Sequence, residues 1–196
     1  NGNMPTAKTQ SRAIPRLEPA GIDKPATPRV ALAQIAPALG DRRRNLPLHH
    51  ARIEEAAAAR ADLIVFPELS LTGYYLRDMV PDAALDRDSP ELLEMISAAG
   101  SMDVAFGFVE RGRGDRYYNS AAYASDGRML HVHRKVYLPT YGLFDEARYF
   151  ARGDRISAFD APRFGRVGLV VCEDFWHLSI LTIMQAEDVN LLICIA

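Results

Sequence analysis

The chain has 196 residues, 48% of them hydrophobic and 24% charged, and a formal net charge of -2. That length and composition suit one globular domain with a proper core, and the near balance of charge excludes bulk attraction to nucleic acid or anionic lipid. Two cysteines, Cys172 and Cys194, are too few for a disulfide framework, and neither a membrane span nor an apolar signal core is visible, so a cytoplasmic protein without a membrane partner is expected.

Residues 1–28 are rich in Pro, Ala, Thr and Lys without an apolar period, which predicts a flexible N-terminal leader ahead of a domain over residues 29–196. "RVALAQIAP" reads as a short buried strand ended by Pro37. The triplet Arg42-Arg43-Arg44 reads as a solvated loop before a helix over "LPLHHARIEEAAAARA", with Asn45 as its cap and Pro47 in its first turn. "DLIVFPE" is a second buried strand stopped by Pro67. The strand-helix-strand order predicts a parallel pair.

Ser89-Pro90 opens a helix ended by Gly100, and "DVAFGFVE" is the next strand. "YYNSAAYAS" and "RMLHVHRKVYL", joined by Asp126-Gly127, read as antiparallel hairpin strands. Arg-Gly-Asp occurs at 113–115 and at 152–154; chance in turn-rich loops explains both better than adhesion. A long loop from Pro139 to about Arg155 precedes a buried strand "RVGLVVC", a helix "LSILTIMQAE" and a last strand "NLLICIA". A layered α/β fold normally covers such a strand with another crossover helix, so the domain is expected to continue beyond residue 196.

In a parallel sheet, reactive groups gather past the carboxyl ends of strands. Glu68, Lys135 and Cys172 hold that place here. Singly, each has an ordinary reading as a loop cap, a strand-end cation and a small core residue. Together, a carboxylate, an ammonium and a thiol can perform acyl transfer. Glu68 would act as general base and acid, Lys135 would stabilise the oxyanion with a backbone N-H after the nucleophile, and Cys172 would attack.

"IVFPELSLTGY", "HRKVYLPTYGLFDEARYF" and "GLVVCEDFWH" resemble the three catalytic segments of the nitrilase superfamily, the carbon-nitrogen hydrolases, from about residue 29 to the end of the chain. The resemblance implies a four-layer αββα sandwich whose C-terminal part is missing here. It implies Glu68 as base, Lys135 as oxyanion-stabilising lysine and Cys172 as nucleophile, with Glu146 matching a second glutamate. Within the superfamily, "KVYLPTYGLFDEARYF" and "CEDFW" look most like the glutaminase branch found in glutamine-dependent NAD synthetases. That implies a small linear amide as substrate, with a glutamine-like side-chain amide first in line, and a homo-oligomer. Nitrile or carbamoyl hydrolysis, or a truncated non-catalytic domain that serves as an assembly partner, are the alternatives.

Around the triad, Tyr74, Tyr141, Phe144, Glu173 and Trp176 are candidates for substrate contact, since small-ligand sites combine aromatic walls with a few polar groups. Core packing explains the aromatic residues as well. Neither a metal nor an organic cofactor is implied: "GRG" at 112–114 is too short for a dinucleotide fingerprint. His131 and His133 alternate with Lys135 on one strand face, without a third metal ligand, and read as a surface pair. Cys194 reads as buried and slow to alkylate. Cys172 is expected to be accessible, with a lowered pKa and fast alkylation.

Overall fold

A computed structural model describes residues 27–196 of the chain. The expected leader therefore lies outside the described residues except for its last two positions. The first sheet is built from β1 (Val30–Leu32), β2 (Leu63–Val65), β3 (Asp103–Arg111), β4 (Tyr117–Ser125) and β5 (Arg128–Arg134), in that spatial order. The first three run parallel, and β3, β4 and β5 form antiparallel hairpins. Helices α1 (Arg42–Ala58) and α3 (Pro90–Ala99) provide the crossovers, and a short α2 (Val80–Ala83) precedes α3. The second sheet contains β6 (Phe159–Ala161), antiparallel to β7 (Gly165–Val171), and β8 (Leu191–Ile195), parallel to β7 across helix α5 (Leu178–Ala186).

Strand alternation explains how these elements stack into four layers. On β3, Val104, Phe106 and Phe108 point to one side, where Ile53 and Ala56 of α1 and Leu92, Met95 and Ile96 of α3 cover them. Ala105 points to the other side and meets Ala121, Tyr123, Val167, Leu169 and Val171, so the two sheets pack face to face. Val170 lies on the far side of β7 beneath Ile180 and Met184 of α5. The order is helices, sheet, sheet, helix, the αββα sandwich. No helix among the described residues is long and apolar enough to cross a membrane.

Several local expectations need correction. "RVALAQIAP" does not form a buried strand: β1 is the edge of its sheet, and Val30 and Leu32, at 42% and 77% exposure, face a side that the second sheet does not cover. Helix α1 starts three residues before Asn45 because Asp41 caps it, accepting from the Arg44 N-H at 3.1 Å. The arginine triplet is thus helical, and Pro47 sits inside the helix instead of in its first turn. The loop after Pro139 contains a short helix, α4 (Glu146–Tyr149). Cys194 is exposed, because on the edge strand β8 the inward positions go to Ile193 and Ile195.

Two buried polar residues of α1 hold the segment that follows β2. Asn45 donates to the carbonyls of Ala38 and Leu71, at 2.8 Å and 3.0 Å. The His49 Nδ1-H reaches the Asn45 carbonyl at 2.8 Å, leaving Nε2 to accept from the Ser70 hydroxyl at 3.0 Å. Burial lowers the His49 pKa to about 4, below its ordinary 6.5, so the folded protein holds it neutral. An unfolded chain binds that proton first. Stability from this group is therefore complete above pH 6.5 and falls as pH drops toward 4, by about 3 kcal/mol at pH 4. In thermal melts across that window, His49→Gln is expected to show a shallower acid slope than the native chain; equal slopes would remove His49 as the cause.

Candidate active site

Each candidate residue stands just beyond a strand. Glu68 follows β2 after Phe66 and Pro67, Lys135 follows β5, and Cys172 follows β7 and opens a five-residue turn. Their backbones are unusual. Leu69 and Cys172 have φ of 47° and 45°, in the left-handed region that non-glycine residues seldom occupy and that clusters at functional sites.

The Glu68 segment crosses directly over β3 at Gly107. A Cβ there would lie 2.3 Å from the Leu69 nitrogen and 2.9 Å from the Glu68 carbonyl carbon, so only glycine permits the approach. Gly153 does the same beneath Lys135: a Cβ would lie 2.1 Å from the Arg134 oxygen, and the Gly153 N-H donates to the Lys135 carbonyl at 2.8 Å. The second Arg-Gly-Asp triplet thus has its glycine committed to packing.

Lys135 is 1% exposed, and its ammonium donates to Glu68 and to Glu146, each at 2.7 Å. Asn119 on β4 adds a third polar arm, donating to Glu68 Oε1 at 2.7 Å. The Tyr74 hydroxyl donates to Glu146. Burial alone would lower the Lys135 pKa, but Glu68 and Glu146 outweigh it and hold the ammonium above its ordinary range. Burial raises Glu146, against the pull of Lys135. Burial also drives the Tyr74 phenol far above its ordinary value, reinforced by Glu146, so it acts as a donor.

The Cys172 thiol is half-buried, and its pKa is pushed up to about 11, first by burial and then by the negative charge of Glu68, with Lys135 pulling the other way. This reverses the expectation of a lowered thiol pKa. Charge balance adds to the effect of burial: two carboxylates surround one ammonium, so a free thiolate would add further uncompensated negative charge. Moving the proton from Cys172 to Glu68 leaves the local charge unchanged. The arrangement suits a thiol that ionises only by handing its proton to the adjacent carboxylate.

A cavity of about 540 Å³ opens onto Glu68 and Cys172, walled by Leu39, Pro67, Tyr74 and Phe144. Tyr141, Glu173 and Trp176 do not line it. Tyr141 donates to Glu173 Oε2 at 2.7 Å near the surface, and Trp176 is 78% exposed beside Phe175. Asn119 is not singled out by its sequence: it is the one amide on β4, beside Ser120, and its contact with Glu68 is tertiary. His133 is buried against Asp174 and does not form a surface pair with His131, which stacks on Phe159. Among the described residues, no cluster of three or more His, Cys, Asp or Glu side chains is placed to hold a metal ion.

The chain belongs to the carbon-nitrogen hydrolase family, whose sequence model matches residues 29–196. It is 35% identical over 162 residues to a glutamine-dependent NAD(+) synthetase of Acinetobacter baylyi, a match covering 83% of this chain and 29% of that protein. The structure of glutamine-dependent NAD+ synthetase from Acinetobacter baumannii superposes with a TM-score of 0.74 at 31% identity, over 85% of this chain and 31% of the other. A chloroplastic omega-amidase of Arabidopsis thaliana is 28% identical, over 89% of this chain and 51% of that protein. The chain thus spans about three tenths of the length of the NAD synthetase relative.

Two outcomes follow from the geometry. Glu68→Gln removes a charge that raises the thiol, so the pH midpoint for iodoacetamide alkylation of Cys172, followed by peptide mass spectrometry, is expected to fall from about 11 toward the ordinary thiol value of about 8.5. An unchanged midpoint would separate Glu68 from the thiol. Gly107→Ala is expected to destabilise the fold by about 1–3 kcal/mol in urea titrations, through forced displacement of the Glu68 segment.

Proposed function

We propose that the chain is a cysteine-dependent hydrolase of a linear, non-peptide amide, with a glutamine-like side-chain amide as the first substrate to try. The observation that carries this reading is that Glu68, paired with the buried Lys135 at 2.7 Å, and a protonated Cys172 line one cavity. Glu68 takes the thiol proton as sulfur attacks the amide carbon. Negative charge then develops on the former carbonyl oxygen, where Lys135 and the Glu173 backbone N-H stabilise it. Collapse of this intermediate breaks the C-N bond, and Glu68 returns its proton to the departing ammonia. The acyl group remains on sulfur as a thioester. Water, deprotonated by Glu68, attacks that thioester, and the carboxylic acid leaves as the thiol is restored.

The cavity supports a small substrate, since its volume of about 540 Å³ falls within the ordinary range for small-ligand sites and its wall is mostly apolar. The family membership and the amidase and NAD synthetase relatives support the same chemistry. Glu146 would steady Lys135 through the 2.7 Å contact and keep the ammonium charged throughout the cycle.

Ammonia release from glutamine, asparagine and simple aliphatic amides is the direct test. The native chain is expected to release ammonia, and Cys172→Ala to lose at least about 10³-fold in kcat, as removal of a nucleophile does elsewhere. A folded native chain that releases none from any amide would overturn the amidase reading. Nitriles and carbamoyl compounds would be tried next, followed by the reading of a non-catalytic assembly partner.

A further inference from the structure

We propose that Asp174 is a positioning residue whose buried carboxylate ties the turn carrying Cys172 to the strand end carrying Lys135, with His133 as the third support. The Asp174 side chain is wholly buried. Its Oδ1 accepts from the backbone N-H groups of Val136 and Tyr137, at 3.0 Å and 2.8 Å. Its Oδ2 accepts from His133 Nε2 at 2.8 Å and from the Val171 N-H at 3.3 Å. A carboxylate that already receives backbone N-H groups acts as acceptor, which makes His133 Nε2 a proton-bearing donor.

The connectivity is what singles out this carboxylate. Val171 immediately precedes Cys172, and Val136 and Tyr137 immediately follow Lys135, while His133 stands two residues before Lys135 on the same strand face. One carboxylate therefore brackets both reactive residues from their backbones. The two come from different sheets, and the charge-assisted hydrogen bonds of Asp174, from 2.8 Å to 3.3 Å, span them. Cys172 also has an unfavourable left-handed φ of 45°, and the bond from Val171 to Asp174 closes the turn that contains it. Asp174 touches neither the cavity nor the thiol, so it acts through the residues it holds.

The experiment uses the full chain in a Cys194→Ala background, so that Cys172 is the only thiol and intact mass reports its alkylation. Asp174→Ala, Asp174→Asn, His133→Gln and His133→Phe are compared for kcat, KM, melting temperature and iodoacetamide rate. Asp174→Ala is expected to lower kcat about 10²-fold, the scale for a misplacement near 1 Å, while KM changes little. Its Cys172 is expected to alkylate several-fold faster, as the thiol escapes burial and the charge of Glu68.

His133→Gln retains a donor to Asp174 and is expected to recover most of the kcat that His133→Phe loses. Variants that melt earlier but keep native kcat and native Cys172 alkylation would overturn the proposal and leave Asp174 a stabilising residue only. Should Asp174→Ala fail to fold, Asp174→Asn, which keeps the acceptor for Val136 and Tyr137, and His133→Phe decide the matter by the same readouts. The kcat arm rests on the amidase reading, but alkylation needs no substrate. A native chain inactive on amides would sink that reading while the alkylation rates still decide the role of Asp174.

Discussion

The architecture of the site depends on one buried cation. Lys135 lies almost fully out of water, and an ammonium there is tolerated only because two carboxylates meet it at 2.7 Å. Those carboxylates come from distant parts of the chain, Glu68 from the segment after β2 and Glu146 from α4. Glu146 therefore ties the long loop after Pro139 to the buried ammonium, which Glu68 holds from the other side. The ion triad fixes a loop, a strand end and a strand-to-strand crossing at once. Tyr74 adds a donor to Glu146 and Asn119 adds one to Glu68.

Burial, reinforced by the charge of Glu68, sets the resting state of Cys172. A thiol pushed up to about 11 is ionised in only about one molecule in 10⁴ at neutral pH. Such a thiol is a poor target for oxidants and stray electrophiles, because their partner is the thiolate. On the proposed mechanism, the thiol ionises only by handing its proton to Glu68 as sulfur bonds to its target, a transfer that leaves the local charge unchanged. Lowering the thiol pKa by adding positive charge would shift the balance the other way, toward a permanently exposed nucleophile.

Much of this was readable in the sequence, for identifiable reasons. Apolar runs with firm stops at Pro67 and Gly100, and the Asp126-Gly127 turn, mark β2, α3 and the β4–β5 hairpin because local sterics decide them. The three candidate residues stand out because each follows a strand legible in the sequence. What escaped depended on position in the assembled layers. The exposure of β1 and of Cys194 follows from their strands lying at sheet edges, which an apolar run does not encode. Asn45 looks like a helix cap, yet Asp41 does that work and frees Asn45 to hold Leu71. Asp174 sits next to an equally acidic Glu173, and only tertiary contacts distinguish the one bonded inward from the one bonded to Tyr141 at the surface.

Small side chains make the meeting of the triad possible. Glu68 and Lys135 belong to the first sheet and Cys172 to the second, so their separation is governed by how closely the two sheets approach. On the side facing the second sheet, β3 places Ala105 and Gly107 and β4 places Ala121 beside the bulky Tyr123, whereas the helix-facing side of β3 carries Val104, Phe106 and Phe108. Facing sheets normally stand about 10 Å apart, a gap that long side chains from both faces fill. Here β7 supplies Val167, Leu169 and Val171, which pack against Ala105, Ala121 and Tyr123 of the first sheet. Gly107 then lets the Glu68 segment fold across β3 instead of continuing past the sheet edge. The small residues on one face of β3, which in isolation weaken a strand, thus let the segment that carries Glu68 cross close over the sheet.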